Sequence, residues 1–237
     1  MGRTHALSGL AAGLAVYGAA TVGSIRLGAG LGGLSPAFVA LGALVTACAA
    51  LLPDLDTPSS TASTALPPVT GWVSRRLTPG GHRAITHCLV GIAAAIAVVT
   101  VVCAWTATSS GLVIRPGNGL ILGLCAAVGA RTMGVSPRAG LALWAAAFGG
   151  FLVGAAAPAT PWWLMPTSVG LGMWIHRLGD ALTTQGVENL LWPLVRAPRL
   201  RLPVLGDTGS AREQLLGLGL SAYVTWCGAG LVLTAVI

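Results

Sequence analysis

The chain has 237 residues, of which 54% are hydrophobic and only 8% charged, and its formal net charge is +7. A soluble chain of this length carries roughly a quarter charged residues to solvate its surface, so an ordinary soluble globular protein is excluded. With a mean hydropathy of +0.81, the composition is that of an integral membrane protein with several spans.

No long polar insert separates the apolar runs, so residues 1–237 read as one membrane domain. All 13 basic residues are arginine. They sit beside apolar runs, so the charge points to topology and anionic headgroups, and no nucleic-acid partner is expected. The five cysteines (Cys48, Cys88, Cys103, Cys125, Cys227) are scattered without a CxxC pair and read as small buried hydrophobes. Arg3 precedes an apolar run like that of a signal peptide, but without a convincing cleavage site, so the run reads as the first span.

A transmembrane helix needs about 20 mostly apolar residues. On that measure the predicted spans are 6–25, 36–53, 85–107, 118–135, 139–157, 161–184 and 214–236. The expected fold is all-α, a polytopic transmembrane helix bundle of about seven spans. Abundant Gly and Ala suit close helix contact in lipid. Two polar connections stand out, residues 54–81 and 185–213, and the second starts with apolar residues that suit an interfacial position.

Alternation of the spans places both connections on the side of the N-terminus. Eleven arginines fall there (Arg3, Arg75, Arg76, Arg83, Arg131, Arg138, Arg177, Arg196, Arg199, Arg201, Arg212), and only Arg26 and Arg115 fall opposite. The positive-inside rule then makes that side cytoplasmic, N-terminus included.

The same side collects the scarce ionisable groups: His5, Asp54, Asp56, His82, His87, His176 and Asp180. Such groups near hydrocarbon cost roughly 2.5–3.5 kcal/mol each at a span centre, and persist where they pair, bind metal or line a wet cavity. His176 and Asp180 are four apart and share a helical face, a spacing that lets both ligate one ion; Thr183 continues the stripe. The other reading of that pair is a local hydrogen bond at a helix end. Asp54 and Asp56 follow Pro53; in an extended segment both would point the same way, although the stretch also suits a solvated turn. His82 and His87 are five apart, so His82 is expected before a helix and His87 on its first turns. Imidazole plus carboxylate ligation suits zinc, manganese or iron, and this set is large enough for one or two ions.

Four motifs in this order resemble a known family: THALSG at Thr4–Gly9, LLPDLDTPSS at Leu51–Ser60, HRAITHC at His82–Cys88, and HRLGDALTTQGVENLLWP at His176–Pro193. The chain is similar to the YdjM-type family, described as LexA-binding, inner-membrane-associated, metal-dependent hydrolases. Ala84 and Cys88 stand where that family usually has Gly and Ser. The resemblance implies a metal-dependent hydrolase in the inner membrane, and no residue pattern in the chain speaks to LexA.

The leading expectation is therefore a hydrolase with a zinc or manganese centre at the cytoplasmic interface, acting on an ester or phosphoester of a lipid or other anionic substrate. His5, Asp54, Asp56, His87, His176 and Asp180 are the expected metal ligands. His82, Arg83 and Arg177 are the expected catalytic groups, with Arg83, Arg177, Thr86 and Thr183 contacting substrate. A metal-ion or proton transporter using the same cluster and a non-catalytic membrane scaffold are the alternatives.

Overall fold

The computed structural model describes residues 2–19, 21–22, 25–78, 85–188, 190–191, 194–195 and 198–236. Eight α-helices are described: α1 Gly2–Tyr17, α2 Pro36–Ala49, α3 Val69–Leu77, α4 Leu89–Cys103, α5 Pro116–Thr132, α6 Gly140–Ala156, α7 Leu164–Ala181 and α8 Ala211–Val236. Pro36 and Pro116 open α2 and α5 at the first helical position, where proline's missing N–H costs nothing and its φ is already helical.

The helical reading holds for each of the seven predicted ranges, but seven full-length spans do not form. Among the described residues, only Pro36–Asp56 and Ala211–Ala235 are long and apolar enough to cross a membrane. The other five helices in those ranges run 15 to 18 residues, roughly 23–27 Å at 1.5 Å per residue against a hydrocarbon core of about 30 Å. Turns take the missing ends. A hairpin of β1 Thr21–Val22 and β2 Ile25–Arg26 replaces the end of the first range. A second, β3 Ala107–Ser109 with β4 Leu112–Ile114, caps the third. The all-α expectation is corrected by these two small hairpins, and residues 54–81 contain α3 where the sequence suggested only loop.

The centre of the bundle is α1, α2, α4 and α7, with the α5–α6 hairpin packed through α5 and α8 lying along α1 and α2. Val45 and Ala49 of α2, Ile92 and Val99 of α4, and Met165, Val169 and Met173 of α7 form one buried core cluster. Helices α2 and α7 approach closely. A Cβ on Gly172 would lie 2.4 Å from the Thr46 carbonyl oxygen and 2.8 Å from the Ala50 nitrogen. Gly9 of α1 meets the same stretch of α2 from the other side. Small residues thus let three backbones converge one turn below His176.

Hydrogen bonds tie matching helix ends together at one pole. Thr4 donates to Glu213 at 2.6 Å, linking the starts of α1 and α8. Arg131, at the end of α5, donates to Thr64 at 3.2 Å, and Trp144 of α6 donates to the Pro67 carbonyl at 2.8 Å. At the other pole Arg115 donates to the Ala157 carbonyl at 3.0 Å. These bonds place the starts of α1, α6 and α8 and the end of α5 at one pole, and the start of α5 with the end of α6 at the other.

Candidate metal centre

The pole of Thr4 and Glu213 also gathers the ionisable residues. His5 comes from α1, Asp54 and Asp56 from a 3-10 turn at Pro53–Asp56, His87 from a second 3-10 turn at Ile85–His87, and His176 with Asp180 from α7. His5, Asp56, His87, His176 and Asp180 are buried; the Asp54 side chain is 26% exposed and forms the open edge.

The distances describe one cluster. His87 Nε2 and His176 Nε2 are 3.1 Å apart, and Asp180 Oδ2 lies 3.6 Å from the first and 3.5 Å from the second. Asp54 Oδ1 is 3.7 Å from His176 Nε2, and His5 Nε2 is 3.4 Å from Asp180 Oδ1. The His5 ring stacks on His176 with centroids 4.0 Å apart. Donors at 2.0–2.1 Å from a tetrahedral ion stand about 3.3 Å from one another, so this spacing can hold a metal ion. Two trios, His5–His176–Asp180 and Asp54–His87–His176, have donor atoms grouped closely enough to do so.

The tautomers strengthen that fit. His176 Nδ1 lies 2.8 Å from the Ala50 carbonyl oxygen, which can only accept, so Nδ1 carries the proton and Nε2 faces inward as a lone pair. Thr86 Oγ1 donates to Asp56 Oδ2 at 2.9 Å, leaving its own lone pair for His87 Nδ1 at 3.0 Å. That chain sets the same tautomer at His87. Two inward lone pairs at 3.1 Å repel one another unless a proton or a metal ion lies between them, and outer-sphere partners of this kind hold metal-ligating histidines in place. His87 stands before α4, and burial pushes its imidazole below the ordinary value against the opposing pull of Asp56. A neutral ring is the form that ligates metal.

Several sequence expectations change here. Asp54 and Asp56 sit in a 3-10 turn, not an extended segment, because Pro53 opens a new helical turn as α2 ends. Residues two apart then diverge: Asp54 faces His176 Nε2, whereas Asp56 Oδ2 lies 3.6 Å from Nδ1 of His87, the ring nitrogen pointing away from the cluster. His87 lies in its own 3-10 turn and not in the first turns of α4. Arg177, expected to meet substrate, donates to the main-chain carbonyls of His87 and Glu188 and so clamps two loops to α7. Thr86 bridges Asp56 and His87, and buried Thr183 donates to the Asp180 carbonyl at 2.8 Å. His82 and Arg83 lie outside the described residues.

Sequence reasoning missed Glu213 and the Ala50 carbonyl. Glu213 is buried, accepts from Thr4 and from the Gly209 amide at 2.7 Å, and holds the start of α8 against α1 beside His5. Its signal was present: Ser210 accepts from the Glu213 amide at 3.2 Å, in the Ser-x-x-Glu pattern of a helix start.

Cys88 occupies the position before α4, where its Sγ accepts from the Gly91 amide at 3.4 Å. This is the role of a capping serine, so the departure at 88 keeps a cap, in sulfur. Cys88→Ser is expected to leave stability unchanged or slightly raised, and Cys88→Ala to lower it by about 0.5–2 kcal/mol, measured by unfolding of the detergent-solubilised protein.

The fold and cluster define a largely helical protein with stretches able to cross a membrane and a buried His/Asp centre at one pole. The chain belongs to the YdjM inner membrane protein family, whose profile matches residues 1–237, the whole chain. No curated protein and no solved structure matches it.

Proposed function

We propose that the protein is a metal-dependent hydrolase of the inner membrane, with one divalent ion, zinc or manganese, at the cytoplasmic interface. The observation that carries the reading is the pair of inward-facing imidazole nitrogens, His87 Nε2 and His176 Nε2, 3.1 Å apart beside a buried carboxylate. His87, His176 and Asp180 would hold the ion, with Asp54 at the open edge and His5 backing Asp180. Both trios use His176 Nε2, and its Nδ1 is bound to Ala50. One imidazole lone pair serves one ion, so the donors among the described residues suit a single ion.

When bound, such an ion polarises an ester or phosphoryl oxygen and lowers the pKa of water toward 7. The chain's own residues do the rest. Asp56 and Thr86 hold the proton on His87 Nδ1, and the Ala50 carbonyl holds it on His176 Nδ1. Asp54, the most exposed carboxylate of the set, is the group placed to meet substrate and to move a proton at the open edge. Arg177 positions His87 through its carbonyl.

Outward apolar faces support the membrane reading beyond the two full-length stretches. Val98 and Val101 of α4 and Leu141, Phe148 and Val153 of α6 are exposed, which suits lipid as the neighbour. Seven helices would then cross, the short ones with local thinning of the bilayer, and the arginine bias supports a cytoplasmic centre. A centre opening at headgroup level favours a lipid phosphoester as substrate.

The test is metal content and hydrolysis of lipid phosphoesters and esters by the purified protein, beside Asp54→Ala and His87→Ala. One ion per chain in the wild type, and activity lower by at least about 10²-fold in both variants, are expected, on the scale of losing a general acid–base group. Equal activity in all three proteins would sink the catalytic assignment.

A further inference from the structure

The polarity of α3 is reversed for a surface helix in water. Its inward face is Thr70 and Ser74, both buried, and Thr70 donates to the Ser63 carbonyl at 2.9 Å while accepting from the Leu66 amide at 3.0 Å. Its outward face carries Val69 and Trp72, 50% and 53% exposed, with the Arg76 guanidinium 4.7 Å from the Trp72 ring centroid and Arg75 exposed beside it. Apolar and cationic side chains facing out together suit the plane of a membrane interface, where Trp lies at headgroup level and Arg reaches lipid phosphate.

A second segment at the same pole has the same character. Leu200, Leu202 and Val204 are each more than half exposed, and Arg201 is exposed among them. The Leu202 amide donates to the Ala181 carbonyl at 2.8 Å, which fixes this strap to the end of α7 just past Asp180. The strap leads into Ala211–Ala235, long and apolar enough to cross a membrane and only 6% buried inside the protein. That continuity sets the strap at the membrane surface. α3 is tied to the same place, because Thr78 donates to the Asp56 carbonyl at 3.0 Å.

We infer that α3 and the 200–204 strap form a docking surface for anionic phospholipid headgroups beside the metal centre. Arg75, Arg76 and Arg201 provide the charge, since Arg199 is paired with Glu188 at 2.6 Å. The outward Val, Leu and Trp side chains enter the acyl boundary, which selects a bilayer lipid over a soluble acidic partner. The surface stands independently of the hydrolase reading; only its service in presenting substrate rests on that reading.

The experiment uses the full chain in detergent micelles, titrated with fluorescent phosphatidylglycerol or phosphatidylcholine of identical chains. Wild type is expected to prefer phosphatidylglycerol by at least tenfold. Each of Arg75→Gln, Arg76→Gln and Arg201→Gln should reduce that preference about fivefold, equivalent to ~1 kcal/mol per arginine near an anionic surface. Arg26→Gln, at the opposite pole, should leave it intact. Equal binding of the two lipids, an Arg26→Gln loss as large as the others, or full competition by soluble glycerol phosphate would overturn the proposal. Metal content is measured on the same samples. It should not change with the arginine variants, so failure of lipid selectivity is read separately from failure of the metal centre.

Discussion

Replacing His176 with alanine is expected to reduce bound metal from one ion per chain to none and to bring hydrolysis to background. The residue is common to both donor trios, and its Nε2 lies within 3.1–3.7 Å of His87, Asp180 and Asp54. Its Nδ1 is held by the Ala50 carbonyl, so Nε2 is the one donor the ring offers to an ion. Asp56→Asn should behave differently. It faces His87 Nδ1 through Thr86, so losing its charge weakens the orientation of a ligand without removing one. A 10–100-fold drop in metal affinity is the usual size of that effect, with one ion still bound at saturating metal. Elemental analysis after desalting reads the stoichiometry, and competition with a chromophoric chelator reads the affinity. A His176→Ala protein that is folded by circular dichroism and retains a full ion would remove this residue from the centre.

The contrast between those two substitutions marks what the sequence could disclose. Alternating apolar runs placed His5, His87, His176 and Asp180 on one side, and the fold brings all four together. The i, i+4 spacing of His176 and Asp180 was enough to align them, since regular helix geometry is legible in spacing. The roles of Asp54 and Asp56 were not legible, because Pro53 is compatible both with a chain leaving a helix and with one starting a new turn. The distinction depends on where α2 ends relative to α7. Ala50 was invisible for a simpler reason: it acts through a carbonyl that every residue has. Span lengths were overread because hydropathy counts apolar residues whether they lie in a helix, as Ala95 does, or in a hairpin, as Ala107 does.

Gly172 connects the packing to the centre, and Gly172→Val is expected to damage both. A Cβ there would meet the Thr46 carbonyl oxygen at 2.4 Å, the Ala49 Cβ at 2.7 Å and the Ala50 nitrogen at 2.8 Å. These neighbours are main chain or the stub of an alanine, so no rotamer change relieves the contact and the helices themselves must separate. Overpacking of this kind costs about 1–3 kcal/mol. The functional effect is larger than that figure suggests, because His176 lies one turn further along α7 and its Nδ1 bond reaches back to Ala50 at 2.8 Å. A shift of about an ångström takes that bond past the ~3.2 Å limit of a good N–H···O contact, frees the ring to rotate, and pulls Nε2 and Asp180 away from His87. Metal affinity should therefore fall at least tenfold alongside the lowered melting temperature. Gly219→Val on α8, where an added Cβ meets nothing within 4 Å, should change neither. If Gly172→Val lowered stability but bound metal as tightly as wild type, the convergence of α2 and α7 would hold the bundle together without setting the geometry of the centre.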